Sequence, residues 1–256
     1  MIERIGWRAT FQILAAIFFV FTMAGAYLLK DPPAGYGGPA SKSSGAGRAR
    51  TSHDVPTSQV IRKPIFLALW AAYALGTTAG TMVISQLVPF ARASGLNAKT
   101  AAFAITIGAI GSASGRFLSG WMSDHLGRLR TLRAVILTSM IVTPALYAFR
   151  EEILAFYVLL FFVYYCYGTQ LSVYTALAGD FWGTKYLATN YGLLLLAWGF
   201  AGVMGPVLGA RVFVGYGTYQ YAFFGAAALA FAALVILSAI RTPQLATSPA
   251  TAQAHA

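Results

Sequence analysis

Seven stretches of this chain stay apolar for roughly the twenty residues that carry a helix across a bilayer. They run approximately over 8–29, 64–88, 100–122, 133–149, 153–176, 188–211 and 220–240. No other feature limits the fold so strongly. Lipid offers the backbone no hydrogen bonds, so each crossing must be a helix or part of a closed barrel. The ten-residue alternation of a membrane barrel is absent, which predicts an all-α integral membrane protein: a bundle of about seven transmembrane helices. Composition agrees. Hydrophobic residues make up 58% and charged residues 10%, with mean hydropathy +0.65. A soluble domain carries about 25% charged residues, so the lipid bilayer is an obligate partner of this surface.

The formal charge of +11 does not call for nucleic acid, because the basic residues sit in short loops between apolar runs. The side that receives 30–63, 123–132, 177–187 and the tail from 241 holds, with the border residue Arg133, eleven Lys and Arg, against six on the other side. Positive loops stay in the cytoplasm, which places the N-terminus outside and the C-terminus inside, in a cell membrane. The stretch 30–63 is rich in Pro, Gly and Ser and reads as a flexible cytoplasmic linker, with 241–256 as a disordered cytoplasmic tail. The fourth and fifth spans are separated by Arg150, Glu151 and Glu152, a tight helical hairpin. Cys166 is a lone cysteine inside an apolar run and has no disulfide partner in the chain. His53, His125 and His255 are far apart in loops or tail, without metal-ligand spacing. No acidic residue falls inside a span. Neither catalytic residues, nor a metal, nor a cofactor is expected, so an enzyme is not the reading.

The segment GRFLSGWMSDHLGRLR, residues 115–130, closes the third span. Gly120 permits close helix approach, Gly127 a tight turn, and Asp124 can pair with an Arg or meet a helix N-terminus. With Arg128 and Arg130, this pattern resembles the signature gating loop of the major facilitator superfamily. That family has a basic residue after the Asp where this chain has His125, which weakens charge pairing there. An ordinary charged loop is the alternative. Together with GWRATFQILAAIFF, LLKDPPAGY, TAGTMVISQ and NYGLLLLAWGFAGVMGP, the resemblance narrows to the oxalate/formate antiporter family, over essentially residues 6–211.

The resemblance implies a twelve-helix fold of which this chain matches the last seven. Residues 1–29 would be the last helix of an incomplete N-terminal half and 64–240 the C-terminal six-helix transporter domain. A five-helix N-terminal segment would be a missing partner. The implied activity is secondary transport of a small organic anion, an oxalate/formate-like antiport or a monocarboxylate carrier. Symport with a proton and a non-transporting truncated protein remain alternatives.

Arg116 lies eight residues before Asp124, about 12 Å up the helix at 1.5 Å per residue, near the middle of the bilayer. A guanidinium at that depth faces a bundle interior or aqueous cavity unless it snorkels to the interface. The resemblance implies that it binds a substrate carboxylate. Trp198 stands where oxalate-transporting members carry a Lys, and one cation rather than two favours a monocarboxylate. Tyr164, Tyr167, Gln170 and Tyr174 recur at helical spacing on one face, either lining a cavity or forming a packed stripe. Glycine pairs 76/80, 111/115 and 205/209 fit small-xxx-small helix contacts.

Overall fold

The computed structural model describes residues 2–29 and 54–240, and among them every regular element is a helix. Most of the expected linker, 30–53, and the tail 241–256 lie outside the described residues. Helix α1 (Ile2–Leu28) belongs to a separate unit, Met1–Ser44. Its backbone leaves helical geometry at Gly6 (φ 76°, ψ 160°), and the Thr10 hydroxyl donates back to the Gly6 carbonyl at 2.9 Å. Beyond that kink, Gly6–Leu28 is long and apolar enough to cross a membrane.

The second unit holds α2 (Thr57–Val60), α3 (Pro64–Ser85), α4 (Leu87–Ala93), α5 (Ala98–Leu126), α6 (Arg128–Ala148), α7 (Ile153–Trp182), α8 (Leu187–Tyr216) and α9 (Gln220–Ala239). With the apolar run of α1, the described residues contain seven helices of spanning length and composition. The all-α membrane bundle is therefore the observed architecture. Several helices outrun their apolar cores. The third continues to Leu126, the fourth begins at Arg128, the fifth passes Asp180 and the sixth passes Arg211. Hydropathy stops at charged residues, whereas an α-helix tolerates them wherever their heads reach water. The first span of this unit also breaks sooner than 88, at Ser85. Pro89 has no N–H for the Ser85 carbonyl and its ring clashes there, so the chain turns at Gln86 and restarts as α4.

Helix α3 is the hub, packed against α8, α9 and, over a shorter contact, α7. Helix α5 leans on α7, and α6 bridges α7 and α9. Small residues set these contacts. A Cβ at Gly111 would fall 2.5 Å from the Phe161 carbonyl oxygen, and one at Gly115 would strike that of Tyr165. Gly205 lies against Thr81, and Gly209 against Met82 and Gln86. Gly76 and Gly80 meet Gln170 and Tyr167. All three expected glycine pairs thus sit where two helices approach, although Gly120 does not: no described residue lies within 4 Å of a Cβ placed there.

The connector is not free over its whole length. Within 54–63 the chain forms α2 and binds the α7–α8 junction. Val55 N–H donates to the Trp182 carbonyl at 2.9 Å, and Lys185 N–H donates to Asp54 Oδ1 at 3.1 Å. Asn190, fully buried, donates to the Val55 carbonyl at 3.1 Å and accepts from the Thr57 hydroxyl at 2.8 Å. Gly183 makes room for Asp54 and has φ 81°, a geometry that disfavours any side chain. Four hydrogen bonds and the buried Val60 hold a segment whose composition alone reads as linker.

Candidate functional site

Arg116 sits on an exposed sector of α5. Its neighbours on that sector are small: Ala102, Thr106, Ala109, Ala113 and Gly120, all exposed. The adjoining sector is bulky and apolar, with Phe103, Ile110, Phe117 and Trp121. The two sectors meet different surroundings. Bulky apolar side chains suit lipid, while a small-residue strip with one guanidinium suits a polar cavity or a close partner. Helix α8 repeats the division. Gly192, Gly199 and Gly202 face open space beside Trp198, and Leu196, Phe200 and Val203 form an exposed apolar strip next to them.

Tyr167 of α7 joins these two helices. The Trp198 side chain and the Arg116 guanidinium both lie close enough to act on its hydroxyl. Residues from three helices, 116, 167 and 198, therefore converge on one spot. Among the described residues no carboxylate pairs with Arg116. A cation in reach of a phenol and an indole, on a surface of small side chains, can hold a small anion through bidentate hydrogen bonds.

The other expected members of the α7 stripe do not share that spot. Tyr164 packs its ring onto Gly108 of α5. Gln170 is buried, with Oε1 against Gly76 and Nε2 donating to the Cys166 carbonyl at 3.5 Å. Tyr174 is fully buried and stacks on Tyr73 of α3, ring centroids 4.0 Å apart. One face of α7 thus serves two ends: Tyr167 reaches the open surface and the rest pack.

At the connector end, the 115–130 segment closes on itself and on α7. Arg128 Nη2 lies 2.7 Å from Asp124 Oδ1, and Arg128 Nε lies 3.4 Å from Asp180 Oδ2. The third nitrogen of Arg128, Nη1, donates to the Ser123 hydroxyl. Gly127 turns the chain between α5 and α6 with φ 89°, ψ 146°, which a residue with a side chain adopts only under strain. Arg130 is exposed. His125 bonds locally, with Nδ1 2.8 Å from the Trp121 carbonyl oxygen, and its ring lies against the indole. Asp180 escaped the sequence reading because nothing in a linear pattern pairs it with a residue 52 positions away. Arg133 was likewise counted only as loop charge, yet it donates to the Leu237 and Ile240 carbonyls at 2.7–3.1 Å and caps α9.

An all-α unit whose main helices are long and apolar enough to cross a membrane defines a class, the polytopic membrane proteins. Comparison with known proteins is more specific. The model of the Major Facilitator Superfamily matches residues 1–150 and 80–256. The chain belongs to the Major Facilitator Superfamily, which places it with transporters rather than enzymes. It is 27% identical over 189 residues to the oxalate:formate antiporter of Oxalobacter formigenes, covering 73% of this chain and 44% of that protein. It is also 27% identical over 204 residues to the MFS-type transporter YhjX of Escherichia coli, covering 79% and 49%. With monocarboxylate transporter 12-B of Danio rerio the figures are 24% over 249 residues, 88% and 52%. The chain spans about half the length of the curated relatives it matches.

Proposed function

We propose that this chain supplies the C-terminal half of an alternating-access transporter for a small organic anion. Arg116 holds the carboxylate, and Tyr167 and Trp198 shape the space beside it. The observation that carries this reading is the convergence of an arginine lacking a carboxylate partner with Tyr167 and Trp198 on a surface of small residues. Two of the relatives are named for carboxylate substrates, oxalate and formate in one and monocarboxylates in the other. Arg116 lacks a companion lysine at 198, so its single charge favours a monocarboxylate over a dianion, exchanged in antiport. The opposite wall of the cavity comes from the N-terminal half of a full-length carrier, including five helices beyond α1.

In this reading the 115–130 loop stabilises one state of the cytoplasmic gate. Its pairs Asp124–Arg128 and Arg128–Asp180 hold α5, α6 and α7 together at that end and must loosen when it opens. The excess of basic residues on the connector side puts that side in the cytoplasm.

Counterflow in proteoliposomes tests the assignment. The full-length carrier is loaded with unlabelled formate and offered labelled formate against a panel of competitors. Formate and acetate should compete better than oxalate, and chloride and phosphate should not compete. Competition by phosphate as strong as by formate would remove the carboxylate reading. Uptake that needs a pH gradient and no counter-anion would replace antiport with proton symport.

A further inference from the structure

Four buried polar atoms on the facing surfaces of α3 and α7 have no protein hydrogen-bond partner. They are the Tyr73 hydroxyl and Thr77 Oγ1 on α3, and Gln170 Oε1 and the Tyr174 hydroxyl on α7. None of these four residues is more than 2% exposed. They belong to one seam. Tyr73 stacks on Tyr174, Gln170 Oε1 lies against Gly76, and Tyr167 lies against Gly80, so the two helices run in opposite directions through successive rungs. Thr77 follows Tyr73 by four residues, as Tyr174 follows Gln170, which keeps each pair on one helix face. The Tyr73 hydroxyl approaches Tyr191 of α8 without reaching hydrogen-bond geometry. The Tyr191 hydroxyl itself donates to the Leu171 carbonyl at 3.3 Å.

Native interiors pair nearly all their buried polar groups, with protein or with ordered water. Elsewhere among the described residues only Thr131 Oγ1 shares this condition, so the four are concentrated rather than scattered. The chemistry of the set selects the guest. Gln170 donates one amide N–H to the Cys166 carbonyl and leaves its Oε1 without a donor, so the guest must donate a hydrogen bond, which a halide cannot do. A cation would meet neutral oxygens alone, since α3 has no acidic residue and the acidic residue of α7, Asp180, is engaged by Arg128 near the helix end. Water both donates and accepts, and a buried water makes about three such bonds.

We propose that the α3–α7 seam binds ordered water between Thr77, Gln170 and the hydroxyls of Tyr73 and Tyr174. Its Gln170 lies three residues, about one helical turn, from Tyr167 on the same helix. The site gives the hub helix a hydrated contact on the side that packs against α7. The inference goes beyond the anion reading and does not depend on it.

Radiolytic hydroxyl-radical footprinting of the purified chain tests it, because bound water generates radicals in place and marks the side chains it touches. Tyr73 and Tyr174 should be modified at rates near those of the exposed Tyr216 and Tyr221, while the buried Phe90, Phe156 and Phe223 stay unmodified. The double substitution Thr77→Val, Gln170→Leu should abolish labelling of both tyrosines and lower the melting temperature. Tyr73 and Tyr174 as silent in the wild type as Phe156 would overturn the proposal without any variant. So would a double variant that melts higher, since removing polar atoms that lack a guest stabilises. Protection from labelling by sodium but not by N-methylglucamine would show a cation in the seam and also overturn it.

Discussion

Arg116 and Trp198 are where single side chains decide the most. A guanidinium grips a carboxylate through two parallel bonds, which an ammonium cannot reproduce. Arg116→Lys keeps the charge and loses that geometry. The cost should be about 1.5–3 kcal/mol, the range for a hydrogen bond to a charged group, which raises the half-saturating formate concentration roughly ten- to hundredfold. An unchanged value in counterflow assays would mean that the fork plays no part. Trp198→Lys adds a second cation near Tyr167 and should turn preference towards oxalate. Competition ratios measured on the same vesicles check this, and a variant that still prefers formate would contradict the one-cation argument. The place of Arg116 on α5, eight residues before Asp124, was legible from the sequence. Its meeting with Tyr167 rather than Tyr164 or Gln170 was not, because helical spacing gives those three nearly the same face and only the packing of α5 and α3 on α7 separates them.

Among the elements, the tightest contact is that of α5 on α7, where Gly111, Gly115 and Gly168 bring backbone against backbone. Gly115→Val would drive a branched side chain into the Tyr165 carbonyl, and overpacking of this kind costs about 1–3 kcal/mol or more. Thermal unfolding in detergent should show the loss, whereas Gly120→Ala, facing open space inside α5, should cost nothing and can add up to about 1 kcal/mol through helix propensity. Equal effects of the two would contradict the packing described. The connector clasp makes a second prediction at this scale. Asn190→Ala removes two hydrogen bonds from a buried site and strands the Val55 carbonyl, a loss of roughly 1–3 kcal/mol. Limited proteolysis should then cut near 54–60 faster than in the wild type; an unchanged cutting rate would mean the clasp does not hold this segment. The spans and the 150–152 hairpin could be read from hydropathy, and the break before Pro89 follows from proline chemistry. The clasp could not be read, since its bonds join residues 127 to 135 positions apart, three of the four through backbone groups that carry no sequence signal.

The whole molecule poses questions of sidedness and of how a half-length bundle works. Cys166 is buried, so introduced cysteines report with little background. Ser43→Cys in the connector should resist impermeant maleimides in intact cells, and Glu151→Cys, exposed in the α6–α7 turn, should react. The reverse pattern would invert the topology inferred from the basic loops. Transport requires two walls. The wall described here carries one cation and two aromatic groups, and the matching N-terminal helices complete the cavity in the proposed carrier. The purified chain alone should therefore give no counterflow; robust exchange by it would show that this bundle builds a cavity by itself or by pairing with a second copy. All of this rests on a carboxylate held at Arg116, and one measurement tests that most directly: formate counterflow by the full-length carrier with Arg116→Gln, compared with wild type at equal incorporation. Loss of one partner of a desolvated charge pair costs about 2–5 kcal/mol, so exchange should fall at least about thirtyfold while the protein still inserts and folds. Exchange at the wild-type rate would contradict the account.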